Sequence, residues 1–155
     1  MKQGFQNLSE LKKVLDRFKR IPHQSYFDFI YFYQQYFDQI QHLHFDEYLE
    51  IKYSYINALY QLDKFELFQK QVNVFISELL NHTEFNYYHR KIYLDCLYLK
   101  SQAYLTSYKS AEAINVLKEI IKLEPDYKGV SKKLFAQIFK IKQHQDRKYY
   151  AVIIM

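Results

Sequence analysis

The sequence from Leu94 to Tyr127 is LDCLYLKSQAYLTSYKSAEAINVLKEIIKLEPDY, and its apolar residues recur at helical spacing in two successive runs. Spacings of three and four residues place side chains on one face of an α-helix. The first run ends in polar residues near Ser107, and Pro125 stops the second, because a proline disfavours helix in the residue before it. This stretch therefore predicts two antiparallel helices joined by a short turn.

The same periodicity continues on both sides of this pair. A capping pattern at Asn7 opens a helix that Pro22 ends. Further helices are predicted from Ser25 to about Leu43, from Asp46 to Leu62, from Phe65 to Leu80, and beyond Gly129. The predicted fold class is all-α, an antiparallel helical array of about six or seven helices.

The amino-acid composition supports an all-helical chain. The 155 residues include only 2 Gly and 2 Pro, but 17 Tyr and 13 Phe. Sandwiches, barrels and Gly-rich phosphate-binding loops all need many tight turns, so scarce turn-forming residues argue against them. No segment resembles a linker, and we predict a single helical domain over residues 1–155.

Residues 94–127 resemble a tetratricopeptide repeat, a helix–turn–helix unit of 34 residues. Ser101 and Ala113 occupy the small positions at which the two helices of such a repeat approach each other. The closing sequence Leu123-Glu124-Pro125-Asp126 is similar to the family's Leu-Asp-Pro, whereas Lys100 stands where leucine is usual. The resemblance implies a right-handed solenoid.

A second, weaker unit covers about residues 49–82. Ala58 matches Ala103, 45 positions further on, and Asp63-Lys64-Phe65 resembles the family's Gly-Asp-Tyr turn. Phe68 stands where the small alanine is expected. The extra residues around 83–93 are expected to lengthen either the next helix or the loop before it.

Charge and repeats together divide the chain into three segments: N-terminal helices over 1–44, repeat-like helix pairs over 45–127, and a basic C-terminal helix with an apolar tail over 128–155. Residues 1–22 carry six basic and two acidic side chains, and residues 128–155 carry seven and one. The intervening residues 23–127 carry nine basic and fourteen acidic side chains. The basic ends either lie against the acidic body or form a solvated surface, or they contact an anionic partner such as nucleic acid.

The resemblance implies a binding groove, because the first helices of tetratricopeptide repeats line a concave surface. Its candidate residues in this sequence are Tyr53, Asn57, Tyr60, Tyr98 and Gln102. An asparagine or glutamine amide can donate to and accept from a peptide backbone, and tyrosine supplies rigid amphipathic area. We therefore expect a non-catalytic module that binds a protein or peptide, such as the sensor or adaptor part of a regulatory system. Association between copies of the chain is a related expectation.

The basic ends provide the alternative, a helical nucleic-acid-binding protein. Its candidate residues are Lys132, Lys133 and Lys140, with neighbouring aromatic side chains available to stack on bases. No helix-turn-helix, RNA-recognition or zinc-finger pattern accompanies them. The sequence leaves both functions open and favours protein or peptide binding over nucleic-acid binding.

Other classes of function find little support. No nucleophile, acid–base pair or cofactor loop can be recognised, so the chain is not expected to be an enzyme and no cofactor or metal is predicted. The single cysteine, Cys96, lies on an apolar face and is expected to be a buried, inert thiol. No apolar segment is long enough to span a bilayer and no signal peptide is recognisable, which favours a cytoplasmic protein without a membrane partner.

Overall fold

The computed structural model describes residues 10, 11, 13, 16, 17, 26–82 and 84–154, with side chains described as far as residue 143. This part of the chain is all-helical and contains no strand, which confirms the predicted all-α class. A short 3-10 helix, Tyr127–Gly129, precedes the last α-helix. The α-helices are α1 (Tyr26–Gln35), α2 (Phe37–Ile40), α3 (Phe45–Gln61), α4 (Phe65–Asn81), α5 (Tyr87–Thr106), α6 (Ser110–Leu123) and α7 (Val130–Ile154).

Helices α3, α4 and α6 begin and end close to the positions that the sequence predicts, and α7 begins directly after Gly129. The extra residues between the two repeat-like units lengthen a helix, since α5 already begins at Tyr87. The helix predicted between Asn7 and Pro22 lies mostly outside the described residues. None of the helices in the described part of the chain is both long and apolar enough to cross a membrane.

The helix predicted from Ser25 to Leu43 is interrupted at Tyr36, where α1 gives way to the single turn of α2. Tyr36 leaves helical geometry, with φ −107° and ψ 21°. Its ring packs 5.1 Å from that of Phe32, and after the break Ile40 is fully buried. No glycine or proline marks this position, so the sequence pattern does not reveal the break.

The chain divides into two compact units, Met1–Asn86 and Tyr87–Met155. In the first unit, α3 packs against both α1 and α4. It can do so because apolar side chains are buried on more than one side of it, among them Leu49, Tyr55, Ile56 and Leu59. Helix α4 is amphipathic and buries one stripe, formed by Phe68, Val72, Phe75 and Leu79.

In the second unit, α6 packs against both α5 and α7. Ser101 and Ala103 on α5 and Ala113 on α6 are fully buried, as expected of the small residues that let two helices approach closely. Helix α6 adds the buried stripe Val116, Leu117 and Ile120, and α7 begins with the fully buried Val130.

The turns of the two helical hairpins, α3–α4 and α5–α6, have the same backbone hydrogen bonds. In the first turn, the amide N–H of Lys64 donates to the carbonyl oxygen of Leu59 at 3.0 Å. In the second, the amide N–H of Lys109 donates to the carbonyl oxygen of Tyr104 at 2.8 Å. Both bonds close the same number of residues, and the two turns lie 45 positions apart.

The buried positions of the two hairpins correspond at the same offset. Pairs that are buried in both hairpins are Leu49 and Leu94, Ile51 and Cys96, Ile56 and Ser101, Ala58 and Ala103, Val72 and Leu117, and Phe75 and Ile120. A helical hairpin repeated with one register of buried positions is the pattern of repeat architectures. The largest difference is that the fully buried Phe68 of the first hairpin corresponds to the fully buried Ala113 of the second.

Each turn contains one residue in the left-handed region, Asp63 with φ 56° and Tyr108 with φ 59°. This conformation costs a residue with a Cβ atom about 1–2 kcal/mol, and aspartate tolerates it better than tyrosine does. Because the Tyr108 side chain is 94% exposed, its replacement removes almost no packing. We expect Tyr108→Gly to stabilise the protein by about 1 kcal/mol in urea denaturation. Asp63→Gly should gain less. A loss of stability in Tyr108→Gly would contradict the strain assigned to its left-handed backbone.

Candidate functional site

The predicted groove residues occupy equivalent positions on the first helices of the two hairpins. Tyr53 and Asn57 lie on α3, and Tyr98 and Gln102 lie 45 positions later on α5. All four are partly buried. The fifth residue, Tyr60, also lies on α3, so the structure places three of the predicted residues in the first unit and two in the second.

The α3 residues already have contacts within their unit. The side-chain amide of Gln61 donates to Oδ1 of Asn57 at 3.4 Å, one turn away on the same helix. The ring of Tyr60 lies 6.1 Å from that of Phe65 and 5.7 Å from that of Phe68. Tyr60 therefore contributes to packing between α3 and α4, whereas Asn57 retains its amide N–H donors for a further acceptor.

On α5, Tyr98 is the centre of a cationic and aromatic cluster. The ammonium groups of Lys133 and Lys128 lie 4.5 Å and 4.9 Å from the centre of its ring. Lys133 also donates to the Tyr98 hydroxyl, and the ring of Tyr127 meets that of Tyr98 edge-on at 6.0 Å. A desolvated ammonium over an aromatic face gains about 0.5–2 kcal/mol, so this cluster fixes the start of α7 relative to α5.

A carboxylate completes the cluster. Asp95 Oδ1 accepts a hydrogen bond from the Tyr127 hydroxyl and lies 3.6 Å from Nζ of Lys128. Lys128 has the left-handed φ of 42°, and these contacts hold it in that conformation. The negative charge of Asp95 on α5 is thus neutralised by contacts within the second unit.

Among the predicted groove residues, Gln102 has a polar side chain whose amide has no evident role in the packing of its own unit. Its Nε2 atom is buried and has no hydrogen-bond acceptor among the residues that the structure describes. An unsatisfied buried donor costs about 1–3 kcal/mol. An apolar side chain of similar size would avoid that cost at this position.

The three lysines of the nucleic-acid alternative fall into two environments on α7. Lys133 is half-buried against Tyr98, as described above, whereas Lys132 and Lys140 are exposed. Between these two lysines stand Phe135 and Phe139, also exposed. The sequence predicted that Lys132 and Lys140 are candidate binding residues, but it did not predict that Phe135 and Phe139 are exposed between them.

A buried lysine in the first unit was missed by the sequence analysis. Lys52 on α3 is only 3% exposed, and its Nζ donates to Oε1 of Gln71 at 2.7 Å. The ammonium lies 5.3 Å, 5.5 Å and 6.0 Å from the ring centres of Tyr33, Tyr55 and Phe37. Tyr33 and Tyr55 are themselves stacked, with ring centres 3.9 Å apart. Together the three rings form a cage around a cation of the same chain.

Burial is the main cause of the shifted pKa values of the side chains around Lys52. It lowers the pKa of Lys52, and the negative charge of Glu78 offsets part of that effect. Burial also raises the pKa of the Tyr48 hydroxyl, which donates to Glu78 Oε2 at 2.8 Å, and that of Tyr33. A neutral amine is a nucleophile, but the burial of Lys52 prevents a substrate from reaching it. We therefore assign Lys52 to the interior of the first unit and not to a reactive site.

Cys96 is fully buried, which confirms its predicted placement, and burial raises the pKa of its thiol. In the part of the chain that the structure describes, no three His, Cys, Asp or Glu side chains are grouped so that they could hold a metal ion.

Comparison with known proteins assigns neither a family nor a function to the chain. Neither the models of known protein families, nor the curated proteins, nor the solved structures with which the chain was compared match it. The fold and the positions of the candidate residues are therefore the basis for a functional proposal.

Proposed function

We propose that this protein is a non-catalytic, tetratricopeptide-like module that binds a protein or peptide segment through the first helices of its two hairpins. The observation that carries the proposal is the correspondence between Tyr53 and Tyr98 and between Asn57 and Gln102. Each pair combines an aromatic side chain with an amide four residues later, on helices whose turns and buried positions also correspond. Each hairpin therefore offers the same kind of side-chain pair to the backbone groups of a peptide or protein segment.

The chemistry of the four residues agrees with peptide recognition. A side-chain amide can donate to a peptide carbonyl and accept from a peptide N–H, which fixes the direction of the ligand. Gln102 has an unsatisfied donor that a ligand carbonyl can satisfy when the side chain turns outward. Tyrosine contributes contact area at low cost in side-chain entropy.

In this proposal the module is the sensor or adaptor part of a regulatory system. A cytoplasmic location is compatible with the single buried cysteine, which has no disulfide to form within the chain. Self-association of the module belongs to the same proposal and would appear as a concentration-dependent mass in analytical ultracentrifugation.

The test is affinity capture with the amide pair removed. We expect Asn57→Ala combined with Gln102→Ala to lower retention of the partner about tenfold or more, because two hydrogen bonds at about 0.5–1.5 kcal/mol each are lost. The bait is the full chain, the source is lysate of the cells that naturally produce it, and nuclease and 0.5 M salt are included. The captured protein is then quantified by mass spectrometry.

Two exposed asparagines on the second helices provide the matched control. Asn73→Ala combined with Asn115→Ala removes the same number of amides from α4 and α6 and should leave retention unchanged. Equal retention by both double variants would contradict the proposed face. Capture of nucleic acid alone, released by salt, would support the alternative function instead.

A further inference from the structure

The outer side of α7 exposes three large apolar side chains. Phe135, Phe139 and Ile138 are 72%, 52% and 44% exposed. With 3.6 residues per turn, they fall within about a third of the circumference of the helix. The opposite side, which includes the fully buried Val130, packs on α6. Lys132 and Lys142 fall within the same third of the circumference, and Lys140 lies beyond its border, about 100° from Phe139. We call the three exposed residues, together with Lys132, Lys140 and Lys142, the aromatic–lysine face.

This face is basic. Lys132, Lys140 and Lys142 are exposed, and residues 127–145 contain no aspartate or glutamate. The remaining lysines of the region, Lys128 and Lys133, are turned toward Asp95 and Tyr98. The aromatic–lysine face therefore joins exposed apolar surface to positive charge. The first carboxylate along α7 is that of Asp146, four residues after Lys142.

We propose that the aromatic–lysine face of α7 binds the surface of an anionic phospholipid bilayer. A helix of this kind lies in the plane of the interface, with its apolar side chains at the boundary of the acyl chains and its lysines among the headgroup phosphates. Each lysine held near an anionic surface contributes about fivefold in affinity. The long lysine stem lets the ammonium reach the headgroups while Phe135 and Phe139 are immersed.

The composition of the face favours lipid over nucleic acid. Ile138 offers no ring on which a base can stack, yet it is exposed on the same side as the two phenylalanines. The exposed cations are lysines throughout, whereas nucleic-acid surfaces gain from arginine, which stacks and binds phosphate through two parallel hydrogen bonds. The inference is independent of the peptide-binding function, because α3 and α5 supply the proposed peptide face.

The experiment is flotation of the full chain with phospholipid vesicles. Vesicles of phosphatidylcholine alone are compared with vesicles containing 30 mol% phosphatidylglycerol, at about 0.05 M and 0.5 M NaCl. We expect partitioning only with the anionic vesicles, weakened by salt. Lys132→Gln with Lys140→Gln should lower the partition coefficient about 25-fold. Phe135→Ser with Phe139→Ser should lower it about tenfold or more, because apolar burial is lost.

The matched control changes the same charge on another helix. Lys118→Gln with Lys122→Gln, two exposed lysines one turn apart on α6, should change partitioning by less than about twofold. Equal losses in the two lysine variants would overturn the proposal, as would partitioning that the serine variant retains in full. Salt-sensitive binding of single-stranded oligonucleotide without vesicle binding would overturn it in favour of nucleic acid. Vesicle binding can be lost while peptide capture persists, so the two proposals fail separately.

Discussion

Phe68→Ala should destabilise the protein by about 3–5 kcal/mol, the cost of removing a buried aromatic ring and leaving a cavity. Phe68 is fully buried on α4, and its ring lies 5.7 Å from that of Tyr60 on α3. It therefore fills the space between the two helices of the first hairpin. In the second hairpin the corresponding residue is Ala113, and two small side chains on α5 let the helices approach instead.

Urea denaturation followed by far-UV circular dichroism measures this loss, and the transition of the first unit should shift to lower urea. Phe135→Ala deletes the same group at an exposed position and should change the free energy of unfolding by less than about 0.5 kcal/mol. If Phe68→Ala lowered the free energy of unfolding as little as Phe135→Ala, the ring of Phe68 would not fill the space between α3 and α4.

Lys52→Met should stabilise the protein near neutral pH by about 1–4 kcal/mol, as replacements of buried charged groups by apolar side chains of similar volume often do. The ammonium of Lys52 donates a hydrogen bond to Oε1 of Gln71 and has three aromatic neighbours. Its lowered pKa nevertheless shows that burial disfavours the charged form. Methionine keeps the shape of the stem and removes the charge.

The gain from Lys52→Met should shrink as the pH rises toward 10. The pKa of Lys52 in the folded protein lies below its unfolded value of about 10.4. Between these two values the unfolded chain binds more protons than the folded one, so the stability of the wild-type protein increases with pH. Tyr33 and Tyr48 act in the opposite direction, because their raised pKa values remove stability only above about pH 10.

Thermal denaturation of the wild-type protein and of Lys52→Met at pH 7.0 and at pH 10.0 tests this, because the contribution of the tyrosines is common to both proteins. Lys70→Met, at an exposed position on α4, is the matched control and should change stability little at either pH. A gain from Lys52→Met that is the same at both values would show that the charge of Lys52 is not the cause.

The sequence was sufficient to predict the all-α class and most helix ends. Periodic apolar residues and Pro125 carry this information locally, and the 45-residue offset between Ala58 and Ala103 predicts the correspondence of the hairpins. The division of the chain was harder to foresee. The boundary between the two units falls after Asn86, inside the segment 45–127 that sequence treats as continuous, because no glycine or proline marks it.

Two features were beyond prediction. The break at Tyr36 occurs among residues that are all compatible with a helix, and no glycine or proline marks it. The cage around Lys52 brings together Tyr33, Phe37 and Tyr55, which no local pattern links to a lysine. The placement of Lys52 between Leu49 and Ile56 on an apolar face was the one available signal.

For the candidate site, the sequence predicted which helix positions the groove residues occupy, but not which side chains surround them. The pairs Tyr53 with Tyr98 and Asn57 with Gln102 follow from the repeat register. That Tyr98 is held by Lys133, a residue assigned to a different function, follows from the packing of α7 and is visible only in the structure.

Hydrogen–deuterium exchange of the full chain, with and without its captured partner, tests the two-hairpin binding face most directly. We predict that bound partner slows exchange on α3 from Glu50 to Gln61 and on α5 from Asp95 to Thr106. Exchange on α4 and α6 should stay the same. Protection confined to α4, α6 or α7, with α3 and α5 unchanged, would contradict the proposed function.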